Sequence, residues 1–343
     1  MSYKHTKIWT VDKNIEREEC STSIEEAALW IKGGELVAFP TETVYGLGAN
    51  ALSQEAVAKI FLAKGRPSDN PLIVHISRLE QLEGLVIDVS EDARKLMDAF
   101  WPGALTLILS ASDQVATNVT AGLSTVAVRM PSHPVALTLL DACGVPVAAP
   151  SANLSGKPSP TTATHVQRDL DKRIAGIVDG GPTGIGVEST VLDLSLPEPV
   201  LYRPGGVTRE EIEAIVGPIS VDPALTDTDS SPRSPGMKYT HYAPKGTLTL
   251  VRETKKIREL VEADRRSGLR VGVLATRGER AVYEADVVVY GKDSRHVAHS
   301  LYDSLRRFDD AEVDVIYAET LPEEGIGMAV MNRLRKAAGG RIL

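Results

Sequence analysis

Short apolar runs and capped, periodic stretches alternate through the first two hundred residues. Ser23 and Glu26 have the spacing of a capping box and open a helix that runs to about Lys32 and stops at Gly33-Gly34. The unbroken apolar run Leu36-Val37-Ala38-Phe39 then predicts a strand, ended by Pro40. Ser53 is placed to cap a second helix, with Val57, Ile60 and Phe61 on one face and Gly65 and Pro67 closing it. Further apolar runs predict strands at 72–76, 105–109, 125–128 and 145–148. This alternation describes an α/β domain whose sheet is buried on both faces.

The pattern breaks near residue 218. From Gly217 to Lys245 the chain is rich in Pro, Ser, Asp and Thr and almost without periodicity, so it reads as a long linker. A structureless stretch of that length is uncommon and is usually functional. A second α/β pattern follows. Strands are expected at 247–251, 270–274, 286–290 and 313–317, and helices at 255–266, 296–308 and 328–338. They predict a small, doubly wound parallel sheet. The expected organisation is a first domain over 1–217, a linker over 218–245 and a second domain over 246–343.

Bulk composition narrows the classes. A chain of 343 residues is too long for one typical core. With 38 Lys and Arg against 46 Asp and Glu, the net charge is −8, which argues against a protein drawn as a whole to polyanions. Two cysteines, Cys20 and Cys143, supply neither a disulfide framework nor a zinc site, and fit a reducing, cytoplasmic setting. The N-terminus has no apolar core of a signal peptide, and no apolar run approaches a membrane span.

Four segments of the first domain concentrate polar residues beside Gly and Pro, just after predicted strands, where open α/β sheets hold ligands. They are Pro40–Gly48; Lys64–Pro67 with Asn70 and His75; Pro150–Ser159; and Gly186–Val191 continuing to Leu201–Gly206. Each has a plain structural reading. Lys64 and Arg66 suit solvated cations at a helix C-terminus, His75 a core histidine, Ser151 and Asn153 turn formers. Arg129 suits the partner of a surface carboxylate, and Glu42 and Glu188 structural hydrogen-bond partners. Their concentration in one domain favours a site instead. Gly156-Lys157 is a false P-loop because Pro158 stands where Ser or Thr is required, and 181–186 does not fit a dinucleotide fingerprint. Cys143 lies in an apolar stretch and reads as a buried, inert thiol. The residues therefore suggest anion handling without a side-chain nucleophile, as in nucleotidyl transfer, where positioning and charge stabilisation dominate. They do not name the substrate.

The text PTETVYGLG at 40–48, KGRP at 64–67, NPL at 70–72 with His75, and STVAVR at 124–129 resembles the YrdC-like domain of threonylcarbamoyl-AMP synthases. So do APSANLSGKPSPT at 149–161, ESTV at 188–191 and RPG at 203–205. The text SPGMKYTHYAP at 234–244 and the second domain resemble the two-domain form, so the resemblance covers nearly the whole chain. It implies a twisted sheet with flanking helices and a deep cationic cavity, plus a Rossmann-like C-terminal domain. It also implies that threonine and bicarbonate form a carboxylated threonine, whose carboxylate attacks the α-phosphate of ATP. Pyrophosphate leaves, with Mg²⁺ accompanying the nucleotide. A separate transferase then delivers the group to tRNA beside the anticodon, so tRNA is met only indirectly.

By the same resemblance, Thr43, His75, Arg129 and Ser189, with backbone near Ala149, hold threonine. Lys64, Arg66, Asn70, Thr125, Ser151, Asn153, Ser159 and Arg203 hold ATP, and Lys64 and Arg66 are the catalytic cations. Lys238, Tyr239 and His241 are expected to close over ATP as a lid. A non-catalytic RNA-binding module is opposed by the net charge and by an aromatic content of 5%. A transferase using carbamoyl phosphate would carry cysteine motifs that this chain lacks.

Overall fold

Side-chain hydroxyls open many of the helices, and the strands between them are short and apolar. A computed structural model describes residues 3–14, 21–225, 242–276 and 283–343. In chain order, β1 (Lys7–Thr10), α1 (Thr22–Lys32), β2 (Val37–Phe39), β3 (Gly46–Asn50), α2 (Gln54–Lys64) and β4 (Ile73–His75) come first. Then follow α3 (Glu91–Phe100), β5 (Leu105–Ser110), α4 (Thr117–Thr120), β6 (Thr125–Arg129), α5 (Pro134–Cys143), β7 (Val147–Ala148) and α6 (Ala163–Leu170). The series continues with β8 (Gly176–Asp179), β9 (Thr190–Asp193), β10 (Val200–Arg203), α7 (Arg209–Val216) and β11 (Ser220–Val221). The last elements are β12 (Thr247–Val251), α8 (Thr254–Arg266), β13 (Val271–Ala275), β14 (Val287–Tyr290), α9 (Ser294–Asp310), β15 (Val315–Glu319) and α10 (Ile326–Ala337).

By their internal contacts the described residues form two units. One holds residues up to 155, then 160–184 and 188–225; the other holds 156–159, 185–187 and 242–343. In the first, eleven strands make one mixed sheet in the order β1-β8-β2-β3-β7-β4-β6-β5-β9-β10-β11. Strands β2 and β4 are buried along their whole length, as the unbroken apolar runs predict. Helices α1 and α5 cover one part of the sheet through Ile24, Ile31, Val135, Leu139 and Cys143, which pack on Trp9, Phe39 and Val147. The second unit carries four parallel strands in the order β12-β15-β13-β14. Its core is built from Ile257, Val261, Val271, Val273 and Tyr317.

Three expectations are corrected. The cap of α1 is Ser21, whose hydroxyl accepts from the Ile24 amide, rather than Ser23. Glu26 turns instead to β1, where it accepts from Lys7 Nζ at 2.6 Å and Trp9 Nε1 at 3.0 Å. Gly46–Asn50, absent from the predicted strands and partly within the polar segment Pro40–Gly48, is strand β3, antiparallel to β2. Its glycines are demanded by packing. A Cβ on Gly48 would lie 2.9 Å from Phe39 Cε1, 3.0 Å from Val147 Cγ1 and 3.2 Å from the Val37 carbonyl. Finally, structure continues past 217: Ser220–Val221 runs parallel to β10. The predicted cap Ser53 and stop Gly65 of α2 are found as such, Gly65 being left-handed at φ 62°. Tyr239 and His241, with the rest of the expected lid around Lys238, lie outside the described residues.

Candidate active site

The mixed sheet brings His75, Arg129, Ser189 and Arg203 to one end. β4 and β6 run parallel and finish together, with His75 opposite Arg129. β5 is antiparallel to β6 and starts there. β9 is parallel to β5, so Ser189, just before it, lies at the same end, and antiparallel β10 returns with Arg203. The expectation that the site residues follow strands is therefore only half right. Ser189 precedes its strand, and a mixed sheet places carboxyl and amino ends side by side.

Arg129 is 3% exposed, so a solvated surface cation is ruled out. Its Nε donates to the Gly103 carbonyl at 3.1 Å, Nη1 to Thr43 Oγ1 at 2.9 Å and Nη2 to Glu42 Oε1 at 2.5 Å. A guanidinium has five N–H groups, so two remain. Thr43 is held in turn by Thr41, whose hydroxyl lies 2.8 Å from its own. Glu42 Oε2 is buried with no hydrogen-bond partner among the described residues. Nearby His133 senses the Glu42 charge, although burial holds its pKa below the ordinary imidazole value.

His75 is fully enclosed. Burial first, and then the Arg129 charge, push its pKa down to about 3. The ring is therefore neutral at working pH. Nδ1 lies 3.2 Å from the Ile73 carbonyl, which can only accept, so Nδ1 carries the proton and Nε2 is an acceptor. The ring also meets Phe39 edge-on at 6.2 Å.

Ser189 and Arg203 form the adjoining corner. Arg203 donates through Nε to the Ser189 carbonyl at 3.0 Å and through Nη2 to its hydroxyl at 3.2 Å. Ser189 Oγ is also 2.8 Å from Thr106 Oγ1. The loop after Arg203 passes so close that a Cβ on Gly205 would sit 2.3 Å from the Ser189 carbonyl carbon.

Lys64 is 3% exposed, not a solvated helix-end cation. Its Nζ donates to the carbonyls of Ser151 and, at 2.7 Å, Asn153, and lies 3.5 Å from Asn153 Oδ1. Burial and then Arg66 hold its pKa well below the usual amine value, while Asp169 and Glu188 act the other way. Lys64 thus shapes the 151–153 loop, which is also pinned by Leu47 N to the Pro150 carbonyl and Ala152 N to the Tyr45 carbonyl. Ala149 is anchored by its amide to the Ile73 carbonyl at 2.9 Å. Arg66 is half-buried beside Lys64.

Asn70 and Thr125 lie elsewhere. Thr125 begins β6 and Arg129 ends it, which separates them by about 13 Å at the usual rise. Both Asn70 and Thr125 line a cavity of about 540 Å³ with Ser110, Ser124, Asp193 and Tyr202. Asn70 is 3% exposed, and neither its Nδ2 nor its Oδ1 has a hydrogen-bond partner among the described residues. Ser159 is fully buried and belongs by its contacts to the second unit. Among the described residues no group of three or more His, Cys, Asp or Glu side chains is arranged to hold a metal ion. No helix there is long and apolar enough to cross a membrane.

Gly103 and Thr106, which accept from or pair with Arg129 and Ser189, were not singled out in the sequence; Thr41 entered only as part of the Pro40–Gly48 segment, and Glu42 only with a structural hydrogen-bond role. Thr106 is the second residue of the strand LTLILS and is buried like its apolar neighbours.

Residues 30–205 match the family model Sua5/YciO/YrdC, described as telomere recombination. Residues 207–339 match the threonylcarbamoyl-AMP synthase C-terminal domain. The chain belongs to the threonylcarbamoyl-AMP synthase family. It is 57% identical to the threonylcarbamoyl-AMP synthase of Bacillus subtilis, over 98% of this chain and 99% of that one. It is 50% identical to that of Pyrococcus abyssi, over 97% and 99%. A crystal structure of P. abyssi Sua5 complexed with L-threonine superposes with a TM-score of 0.92 at 51% identity, covering 98% of this chain and 99% of that one.

Proposed function

We propose that this chain condenses L-threonine, bicarbonate and ATP into threonylcarbamoyl-AMP and pyrophosphate. Family membership over nearly the full length supports the activity, and buried Arg129, with two N–H groups uncommitted, carries the reading of the pocket. A fork of that kind suits a carboxylate held by two parallel hydrogen bonds. Threonine binds between Thr43, His75, Arg129 and Ser189, with backbone near Ala149. The neutral His75 offers Nε2 as an acceptor, which suits the substrate hydroxyl.

The amine of threonine attacks the bicarbonate carbon. One N–C bond forms, a C–O bond breaks, and the two ammonium protons leave, one in the water released and one to solvent. A carboxylate of the new carbamate then attacks the α-phosphorus, and the bond to pyrophosphate breaks. The attacker is already ionised, which is why no side-chain nucleophile or strong base is needed at that step. Lys64 and Arg66, with Ser151, Asn153, Ser159 and Arg203, serve the phosphates. Asn70 and Thr125 serve the nucleoside, since their cavity falls in the range usual for small-molecule sites. Tyr239 and His241 complete the ATP assignment. Mg²⁺ comes with the nucleotide, and no step is assigned to it. The product passes to a transferase acting on tRNA, and the acidic chain itself is not the tRNA reader.

Pyrophosphate release is the test. It should require ATP, threonine and bicarbonate together. Equal release from ATP alone would mean simple hydrolysis and would overturn the proposed reaction.

A further inference from the structure

Glu42 has one carboxylate oxygen on Arg129 Nη2 and the other, Oε2, buried without a hydrogen-bond partner among the described residues. A buried carboxylate oxygen left unsatisfied is costly, and the surroundings do not relieve it. The Arg129 guanidinium is already divided among Gly103, Thr43 and Oε1. His133 lies close enough to sense the charge, yet its Nδ1 accepts from the Val135 amide and no hydrogen bond joins it to Glu42. What Oε2 lacks is a charged donor located beside whatever the Arg129 fork binds.

An α-amino acid has that form. Its ammonium is one carbon away from its carboxylate, so a ligand whose carboxylate takes the two remaining N–H groups of Arg129 brings an ammonium to the neighbouring acceptor. The geometry points to Glu42 as the residue that recognises the α-ammonium of the amino-acid substrate through Oε2. Glu42 and Arg129 together form a clamp for the zwitterion. This rests on the placement of threonine at Arg129 proposed above. The clamp selects against carboxylates that lack the amine, including the 2-hydroxy acid of the same skeleton. Such a hydroxy acid could form no carbamate, and admitting it would occupy the site unproductively.

The test is calorimetric titration of the full chain with two probes, L-threonine and its 2-hydroxy analogue, 2,3-dihydroxybutanoate of matching stereochemistry. The native chain should prefer threonine by roughly tenfold to a hundredfold, the range of a charge-assisted hydrogen bond. In Glu42→Gln the amide oxygen still accepts from Arg129, but the charge is gone. Threonine should weaken by about tenfold or more, the analogue should change little, and the preference should collapse. Glu42→Asp, which keeps the charge, should retain part of it. Equal weakening of both probes in Glu42→Gln would show that Glu42 only positions Arg129 and would overturn the inference. So would a native chain that binds both probes alike, a result that needs no variant to fold. If Arg129→Ala left threonine binding intact, the placement of threonine itself would fall, which is a distinguishable failure.

Discussion

His75 and Arg129 face each other across the β4–β6 ladder, an enclosed imidazole beside an enclosed guanidinium. The pair sets a pH dependence. The folded imidazole is held at about 3 against an ordinary 6.5. Between those values the unfolded chain binds a proton that the native chain does not, so stability falls as pH drops below about 6.5. The slope from this residue approaches about 1.4 kcal/mol per pH unit, and His133, shifted the same way, adds to it. Urea midpoints at pH 7 and pH 5 should show this loss, and His75→Gln should lose distinctly less. Equal losses in the two proteins would contradict the assignment.

Breaking the Arg129–Glu42 pair should affect folding as well as binding. Arg129→Ala leaves a buried carboxylate uncompensated, which commonly costs about 3–5 kcal/mol. Thermal melts should drop accordingly. At temperatures where the variant is folded, calorimetry should show threonine weakened far more than ATP; the reverse would move Arg129 to the phosphates.

Lys64→Ala should reduce turnover roughly tenfold to a thousandfold, as loss of an electrostatic stabiliser often does. It should also lower the melting temperature, because the Ser151 and Asn153 carbonyls lose their buried donor. An unchanged melt with lost activity would mean that the loop is held by other contacts.

Asn70→Leu separates function from stability. Its amide is buried with neither polar atom paired among the described residues, so a similar-sized apolar side chain should leave stability equal or raise it by about 1 kcal/mol. ATP binding should weaken while threonine binding holds. Native ATP affinity in this variant would take the amide out of the nucleotide site.

Gly48→Ala should destabilise by about 1–3 kcal/mol, the usual cost of overpacking, because its methyl would meet Phe39, Val147 and the Val37 carbonyl. A melt within a degree of the native one would show that β2 and β7 can give way.

Much of the fold is legible because local chemistry and tertiary structure agree. Ser53 and Gly65 bound α2 as hydroxyl cap and left-handed stop usually do, and β12 occupies the 247–251 run expected of it. Where the two diverge, the reading fails. Gly46 and Gly48 are poor strand formers in isolation, and only crowding by Phe39, Val147 and Ala149 makes them necessary. Lys64 looks like a surface cation because its acceptors lie almost ninety residues away. Glu42 is next to Thr43 in sequence, yet its role depends on Arg129, reached only when β6 docks beside β4. Residue identities exposed the four segments; long-range pairing decides which atoms meet.

The outermost strands of the large sheet, β1 and β11, are four and two residues long. Strand edges expose unpaired amides and carbonyls that can template aggregation between copies, and short or charged edges suppress it. β11 leaves almost no ladder for another chain to join. β1 begins at Lys7, which is tied to Glu26. Among the described residues, a sheet wide enough to bring distant residues together thus ends on either side in a short strand, which limits the ladder that another molecule could join.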